Sequence, residues 1–231
     1  MATFAFIHGS HHGAWCWQYL IAELRKRGHD AIAVDLPAED TTAGLNECAH
    51  VVIEALRDVT DDVVVVGHSG GGLIVPLVAD RRPVKRMIFL AAVVPVPGMS
   101  LDEQRKNELG AGTKSAGVKI ANPDGTVSRP PEEARRAYYH DCTEQQIQWA
   151  LPRLRRQSLT PQHDRCPLRA WPPVPSSYIV CTQDRALDPD WERRVAHEQL
   201  GVTPLEIDTS HSPFISRPRE LADLLVSTLR T

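Results

Sequence analysis

Gly67-His68-Ser69-Gly70-Gly71 is the stretch of this chain best equipped for chemistry, because it sets a hydroxyl among glycines where one element type gives way to another. Val63–Val66 ahead of it is a four-valine run that reads as a buried strand, and Gly71–Asp80 after it reads as a helix. A G-x-S-x-G sequence at such a junction builds a sharp turn that holds the serine in an unfavourable backbone conformation and lifts its oxygen above the sheet. Neighbours two residues away must then lack side chains, and Gly67 and Gly71 meet that need. The same turn directs the Gly70 backbone N–H into the space the serine faces, at the start of a helix where N–H groups have no internal partner. Glycine-rich turns between strand and helix also bind phosphate, but no Lys-Ser/Thr pair follows here and no G-x-G-x-x-G fits.

A serine hydroxyl is a weak nucleophile until a base takes its proton, and that base needs an orienting group. Where a strand–serine–helix turn is used this way, the chain order is serine, acid, histidine, each at the carboxyl end of a strand. Of the ten histidines, His211 fits: it follows the strand candidate Pro204–Ile207 and precedes the last helix. His197 falls inside a helix candidate, and His140 and His163 lie in an irregular stretch where solvent exposure is the simpler reading. Asp184 is the first carboxylate after the strand Ser177–Cys181 and is the preferred acid. Asp188 precedes Pro189 and reads as a helix N-cap, and Asp35 comes before Ser69 in the chain and reads as structural.

Charge that develops on a substrate carbonyl oxygen needs two convergent donors. The first strand–helix loop, Ile7-His8-Gly9-Ser10-His11-His12-Gly13-Ala14, supplies the second: Gly9 allows close approach, and the Ser10 N–H is then the counterpart of the Gly70 N–H. His8, His11 and His12 raise the thought of a metal, but no nearby carboxylate or cysteine completes a ligand set, so neither metal nor cofactor is expected. Leu73, Met99, Trp149 and Phe214 are candidate walls of a substrate pocket, with core packing an equal account of each. Trp15 and Trp17 read as packing residues.

The elements that must position these groups alternate. Strand candidates Thr3–Ile7, Ala31–Asp35, Val63–Val66, Arg86–Ala91, Ser177–Cys181 and Pro204–Ile207 are nearly continuous in apolar character, as strands covered on both faces should be. Helix candidates Trp17–Arg27, Gly44–Val59, Gly71–Asp80, Asp190–Leu200 and Arg217–Leu229 lie between them. This βαβα rhythm specifies an α/β fold on one mainly parallel sheet of about six strands. The 81 residues 95–175 interrupt it, with no clear strand and helix candidates at Pro130–Asp141 and Thr143–Arg156. They are too long for a loop and too polar for a core of their own, so they read as a mostly helical lid on a single domain whose core is 1–94 and 176–231.

Composition narrows the partners. A chain of 231 residues with 42% hydrophobic and 24% charged residues is an ordinary globular domain, and its net charge of −3 provides no field for nucleic acid or an acidic membrane. The longest apolar run, Met87–Val94, is eight residues, where a spanning helix needs about 20. Thr3–Ile7 reads at once as a strand, so no secretory leader is expected. Five well-separated cysteines give no disulfide or zinc pattern, which points to reduced thiols and the cytoplasm. A homodimer is compatible with the sequence. Eight arginines between Arg129 and Arg169 leave an acidic or phosphorylated substrate open, with a solvated helix face as the plainer account.

Taken together, the chain resembles the α/β-hydrolase superfamily over essentially its whole length. His8-Gly9-Ser10-His11-His12-Gly13-Ala14-Trp15-Cys16-Trp17 is similar to the opening of the plant methylesterase and hydroxynitrile lyase branch, where this loop reads H-G-x-x-H-G-A-W-x-W. The resemblance implies a Ser69–His211–Asp184 triad, oxyanion donors at Ser10 and Gly70, and a helical cap over a small apolar acyl or aryl pocket. Lyases of that branch carry lysine directly after the catalytic histidine, and Ser212 stands there instead. Epoxide and haloalkane hydrolases would have aspartate at position 69. The expectation is a serine carboxylesterase acting on small or medium acyl or aryl esters through an acyl-enzyme. A cyanohydrin lyase, a thioesterase, a carbon–carbon bond hydrolase and a non-catalytic ligand binder are its rivals.

Overall fold

Alternating side chains on every strand face two apolar layers, and this alternation builds the molecule. In the computed structural model, which describes residues 1–60, 62–107 and 118–230, six parallel strands form one sheet in the order β2-β1-β3-β4-β7-β8. They are β1 (Thr3–Ile7), β2 (Asp30–Val34), β3 (Val63–His68), β4 (Arg86–Leu90), β7 (Ser176–Cys181) and β8 (Leu205–Ile207). Ala5, Val63, Val65, Phe89 and Val180 point into one layer, with α2 (Leu45–Ala55), α3 (Val75–Arg81) and α8 (Pro189–Leu200). Phe4, Phe6, Val64, Val66, Ile88 and Ile179 point into the other, with α1 (Gln18–Lys26), α9 (Pro213–Ser216) and α10 (Pro218–Ser227). With both faces covered, the central strands carry no polar stripe, and each fully buried large aliphatic or aromatic side chain contributes about 1.5–3 kcal/mol.

Several helix candidates are divided, each for a local reason. Gly71–Asp80 is a tight 3₁₀ turn over Ser69–Leu73 followed by α3; three successive glycines permit the tighter winding, and Pro76 lies in the first turn of α3, where no N–H is needed. Arg217–Leu229 is α10 from Pro218, which opens the helix because it disfavours helical backbone at Arg217 (φ −134°, ψ 50°), followed by a 3₁₀ turn over Thr228–Arg230. The N-terminal candidate opens with a 3₁₀ turn over Ala14–Trp17 before α1.

Between β4 and β7 the described residues form α4 (Leu101–Lys106), α5 (Pro131–Tyr138), α6 (Glu144–Ala150) and α7 (Thr160–His163). Thr143 caps α6 with Gln146 as its spacing predicts, and Pro152 accounts for the helix ending well short of Arg156. The expectation of no strand in this segment is corrected by a small antiparallel pair, β5 (Ile120–Ala121) and β6 (Val127–Ser128). Its turn is closed by Asp124, which accepts from the Thr126 N–H and hydroxyl at 3.1 and 2.6 Å, with Gly125 at φ 83°. Ala134, Ala137, Tyr138, Tyr139, Ile147 and Ala150 join the same apolar layer as α1 and α10, so this segment shares the core of the sheet.

One tyrosine ties the end of β4 in place. Ala91 has φ 41°, and the buried Tyr178 hydroxyl donates to the Ala92 carbonyl at 2.6 Å and accepts from the Ala92 N–H at 2.9 Å. The next residue, Val93, donates its N–H to the Ser69 carbonyl at 3.1 Å, linking this bend to the serine turn. Tyr178→Phe removes both partners of a buried peptide group and should lower unfolding free energy in urea by about 1–3 kcal/mol; an unchanged midpoint would show that the bend holds itself.

Candidate active site

Ser69 is one of three non-glycine residues with positive φ among those described, at 51°, and its neighbours show what holds it there. A Cβ on Gly67 would lie 2.4 Å from Val75 Cγ2 and 2.8 Å from the Gly71 carbonyl oxygen. A Cβ on Gly71 would meet the Ile7 and His8 carbonyl oxygens at 2.6 and 2.7 Å. Both glycines are therefore demanded by contact, as their spacing predicts. Gly9 is equally constrained, since its Cβ would sit 2.7 Å from Ser69 Cβ. The two loops meet closely enough that a Cβ on Gly70 would be 3.2 Å from Ser10 Oγ and 3.8 Å from Ser10 N.

His211 follows β8, and its Nδ1 lies 2.5 Å from Asp184 Oδ2, with both side chains essentially buried. The other Asp184 oxygen accepts from the Ala186 and Leu187 N–H groups at 2.6 and 3.0 Å. An ionised carboxylate only accepts, so the proton of a neutral His211 sits on Nδ1 and leaves the Nε2 lone pair free. Tyr138 stacks on the His211 ring at 5.5 Å and 28°. Ser69, His211, Ser10 and Gly70 line one cavity of about 420 Å³. The structure thus brings together the five residues singled out for chemistry. Asp188 caps α8 instead, accepting from the Asp190 N–H at 2.9 Å. Asp35 braces the first loop through the Ala14 N–H at 2.7 Å.

The profile of the alpha/beta hydrolase family matches residues 4–224. The chain belongs to the alpha/beta hydrolase family. It is 30% identical over 254 residues to norfluorocurarine synthase 2 of a Strychnos species, spanning 96% of this chain and 93% of that protein. It is 26% identical to putative methylesterase 14 of Arabidopsis thaliana, over 96% of this chain and 70% of the relative. Among solved structures, polyneuridine aldehyde esterase superposes with a TM-score of 0.83 at 22% identity, over 99% of each chain, and so shows the fold. A methylesterase from Arabidopsis superposes with a TM-score of 0.81 at 25% identity, over 100% and 99% of the two chains. The likeness seen in the His8–Trp17 loop therefore extends over the whole chain.

The histidines of this alpha/beta hydrolase that surround its serine turn are neutral brackets. His8 Nδ1 donates to the Gly9 carbonyl at 2.9 Å while its Nε2 accepts from the Leu36 N–H at 3.1 Å. His12 Nδ1 donates to the Ser10 carbonyl at 3.0 Å and its Nε2 accepts from the Tyr139 hydroxyl at 2.8 Å. His68 Nε2 donates to the His211 carbonyl at 2.8 Å. His11, at φ 65°, bonds the Arg155 carbonyl at 3.2 Å. Burial is the main cause that lowers His8 and His11 to about 4, His12 to about 3, and His68 well below its ordinary range. No cluster of three or more metal-ligating side chains occurs among the described residues.

The pocket walls require correction. Met99, Trp149 and Phe214 do not line this cavity, while Leu73 lines a smaller one adjoining it at Ser10 and Gly70. Leu73 turns into the apolar layer with α2 and α3, and Phe214 is buried against Trp17 and His68 at 4.6 and 4.9 Å between ring centres. Trp149 packs edge-on against Trp15 at 5.2 Å and tilted against Tyr19 at 5.1 Å, under the Arg153 guanidinium. Met99 lies in a turn whose backbone bonds the Val96 carbonyl and the Cys166 N–H. Val93, Leu101, Tyr138, Leu159 and Leu187 take their place. Val93 and Leu187 follow strand ends, the one signal by which the sequence could have found them.

Glu192 is a further residue that sequence reasoning missed. It is fully buried on α8 and faces Asp184. Burial first, and then the neighbouring Asp184 charge, push its carboxyl well above the usual range, directly behind the acid that holds His211. The described cysteines are all free thiols; burial pushes Cys48 to about 12 and Cys16 and Cys181 well above their ordinary range, which removes them as nucleophiles.

The four buried histidines with lowered values make stability acid-sensitive in a defined window. Their folded values lie below the ordinary 6.5, so between about pH 6.5 and 4 the unfolded chain binds more protons and stability falls as pH falls. Glu192, raised, works oppositely and offsets one of them. Unfolding free energy in urea should therefore drop by up to about 4 kcal/mol per pH unit near pH 5.5 and level off above about pH 7. A flat profile from pH 7.5 to 5 would contradict the neutral-histidine assignment.

Proposed function

We propose that the protein is a serine carboxylesterase, acting through an acyl-enzyme on Ser69. The observation that carries this reading is the buried His211–Asp184 pair facing the same cavity as a serine held at φ 51°. Several relatives are named esterases or methylesterases, which supports the same reaction class. Ser69 Oγ attacks the ester carbonyl as His211 Nε2 takes its proton. Asp184 keeps the proton of the imidazole on Nδ1 and supports the positive charge that follows. The tetrahedral oxygen sits against the Gly70 and Ser10 N–H groups, each donor worth about 10²–10³ in rate. His211 then returns the proton to the departing alcohol and activates a water, which releases the acid. The segment 95–175 acts as the lid that walls the cavity from above, through residues such as Tyr138 and Leu159.

A fluorophosphonate probe should label the wild type and leave Ser69→Ala unlabelled. On a panel of 4-nitrophenyl esters graded by acyl length, Asp184→Asn should lower kcat by about 10⁴ through the wrong imidazole tautomer, with native circular dichroism. Folded wild-type protein that resists the probe would end the esterase reading. Turnover confined to acyl-thioesters would move the activity to another substrate class on the same serine.

A further inference from the structure

The cavity above Ser69 has a one-sided charge that ester hydrolysis does not require. Its ionised lining side chains are Arg105, Lys119 and Arg129, and no aspartate or glutamate lines it among the described residues. The histidines that face it do not change this sign, since His11 is lowered to about 4 by burial and then by the nearby charges of Arg129 and Lys119. Partial burial, followed by the charges of Arg105 and Arg129, pushes the Lys119 ammonium below its ordinary range. Three cations share a space where each raises the cost of the others.

Most neighbouring arginines are already matched. Arg135 pairs with Glu144, Arg136 with Glu133, Arg155 with Glu39, Arg156 with Asp124 and Arg165 with Glu103. Arg105 is partly committed, to Asp102 at 3.1 Å and Gln162 at 3.2 Å. Arg129 differs from all of these. Its Nε and Nη1 are buried with no hydrogen-bond partner among the described residues, and its guanidinium carbon lies 4.8 Å over the Tyr138 ring. That ring stacks in turn on His211, so this guanidinium, whose one acidic neighbour by charge, Glu133, is hydrogen-bonded to Arg136, stands one aromatic ring away from the base. Arg129 also lines the cavity itself, and a guanidinium is the cation best matched to a planar carboxylate. A neutral substrate would leave the charge of Arg105, Lys119 and Arg129 in the cavity without an anion.

We propose that the preferred substrate is an ester bearing a free carboxylate remote from the scissile bond, held by Arg129 against Tyr138. This rests on the esterase reading for its chemistry, while the anion site itself rests on the cavity alone. The carboxylate would bind in the orientation that leaves the ester carbonyl over Ser69, with Lys119 and Arg105 adding charge without a fixed hydrogen-bond geometry.

The test compares the mono-4-nitrophenyl ester of glutaric acid with the same compound whose second carboxyl is capped as a methyl ester. The wild type should favour the free acid by about tenfold or more in kcat/KM, mainly through KM, and the preference should shrink as salt rises. Arg129→Gln should reduce that ratio to near one, and Arg129→Lys should restore part of it. The ratio is internal to each variant, so a general loss of fold or rate does not mimic the effect. Independently of turnover, glutarate should bind Ser69→Ala in a calorimetric titration and fail to bind the Ser69→Ala, Arg129→Gln double variant. Hydrolysis of both esters with no preference, or a preference unchanged in Arg129→Gln, overturns the proposal and leaves the esterase reading standing. Arg129-dependent glutarate binding with neither ester hydrolysed upholds the anion site and removes the esterase reading. Failure of glutarate to bind Ser69→Ala overturns the anion site.

Discussion

Everything at this site depends on a left-handed backbone conformation at one serine. Holding a non-glycine residue at positive φ costs of order 1–3 kcal/mol, and the structure must over-determine it. Here that is done by contact. The carbonyls of Ile7 and His8 at the end of β1, the Val75 side chain and the Gly71 backbone occupy the space that side chains at positions 67 and 71 would need. The Ser69 carbonyl is tied to Val93 beyond β4, and a Cβ on Gly72 would meet the Val93 carbonyl oxygen at 2.2 Å. The serine turn is thus wedged between its two neighbouring strands. The sheet order, with β1 and β4 flanking β3, is what makes that wedge available.

The second layer of the account is a set of imidazoles kept neutral by burial. A carbonyl that must be aimed in a dry interior needs a donor that carries no charge, and a single imidazole N–H meets that requirement. His8, His12 and His68 each give one N–H to a carbonyl, at Gly9, Ser10 and His211, within the two loops that carry Ser10 and the base. The trio His8, His11 and His12 that suggests a metal in the sequence serves this purpose instead. Neutral histidines also leave the charge of the cavity to Arg105, Lys119 and Arg129, so that specificity and loop geometry are set by different residues.

What was legible in the sequence followed from local rules. The four-valine run and the glycine pattern located the serine turn, and the order of strands located Asp184 and His211 by their places after β7 and β8. The strands were readable because burial on both faces leaves their apolar character unbroken. Pro152 lies inside the periodic stretch Thr143–Arg156 and marks a helix end that periodicity alone overrides. Met99, Trp149 and Phe214 failed as pocket walls because apolar character reports burial without saying what a residue is buried against. Glu192 was invisible for a related reason, and Arg129 stood out only as one of eight arginines in its segment. Their meaning comes from Tyr138 and Asp184, partners that the fold brings against them and that no spacing rule connects.

Acylation of Ser69 is read directly by mass spectrometry of an acid-quenched reaction. Wild-type protein mixed with excess 4-nitrophenyl acetate for a few seconds and quenched should carry one acetyl group, which peptide mapping should assign to Ser69, and the adduct should disappear on longer incubation without substrate. Turnover of the ester with no adduct, or an adduct on another residue while Ser69→Ala retains activity, would contradict it.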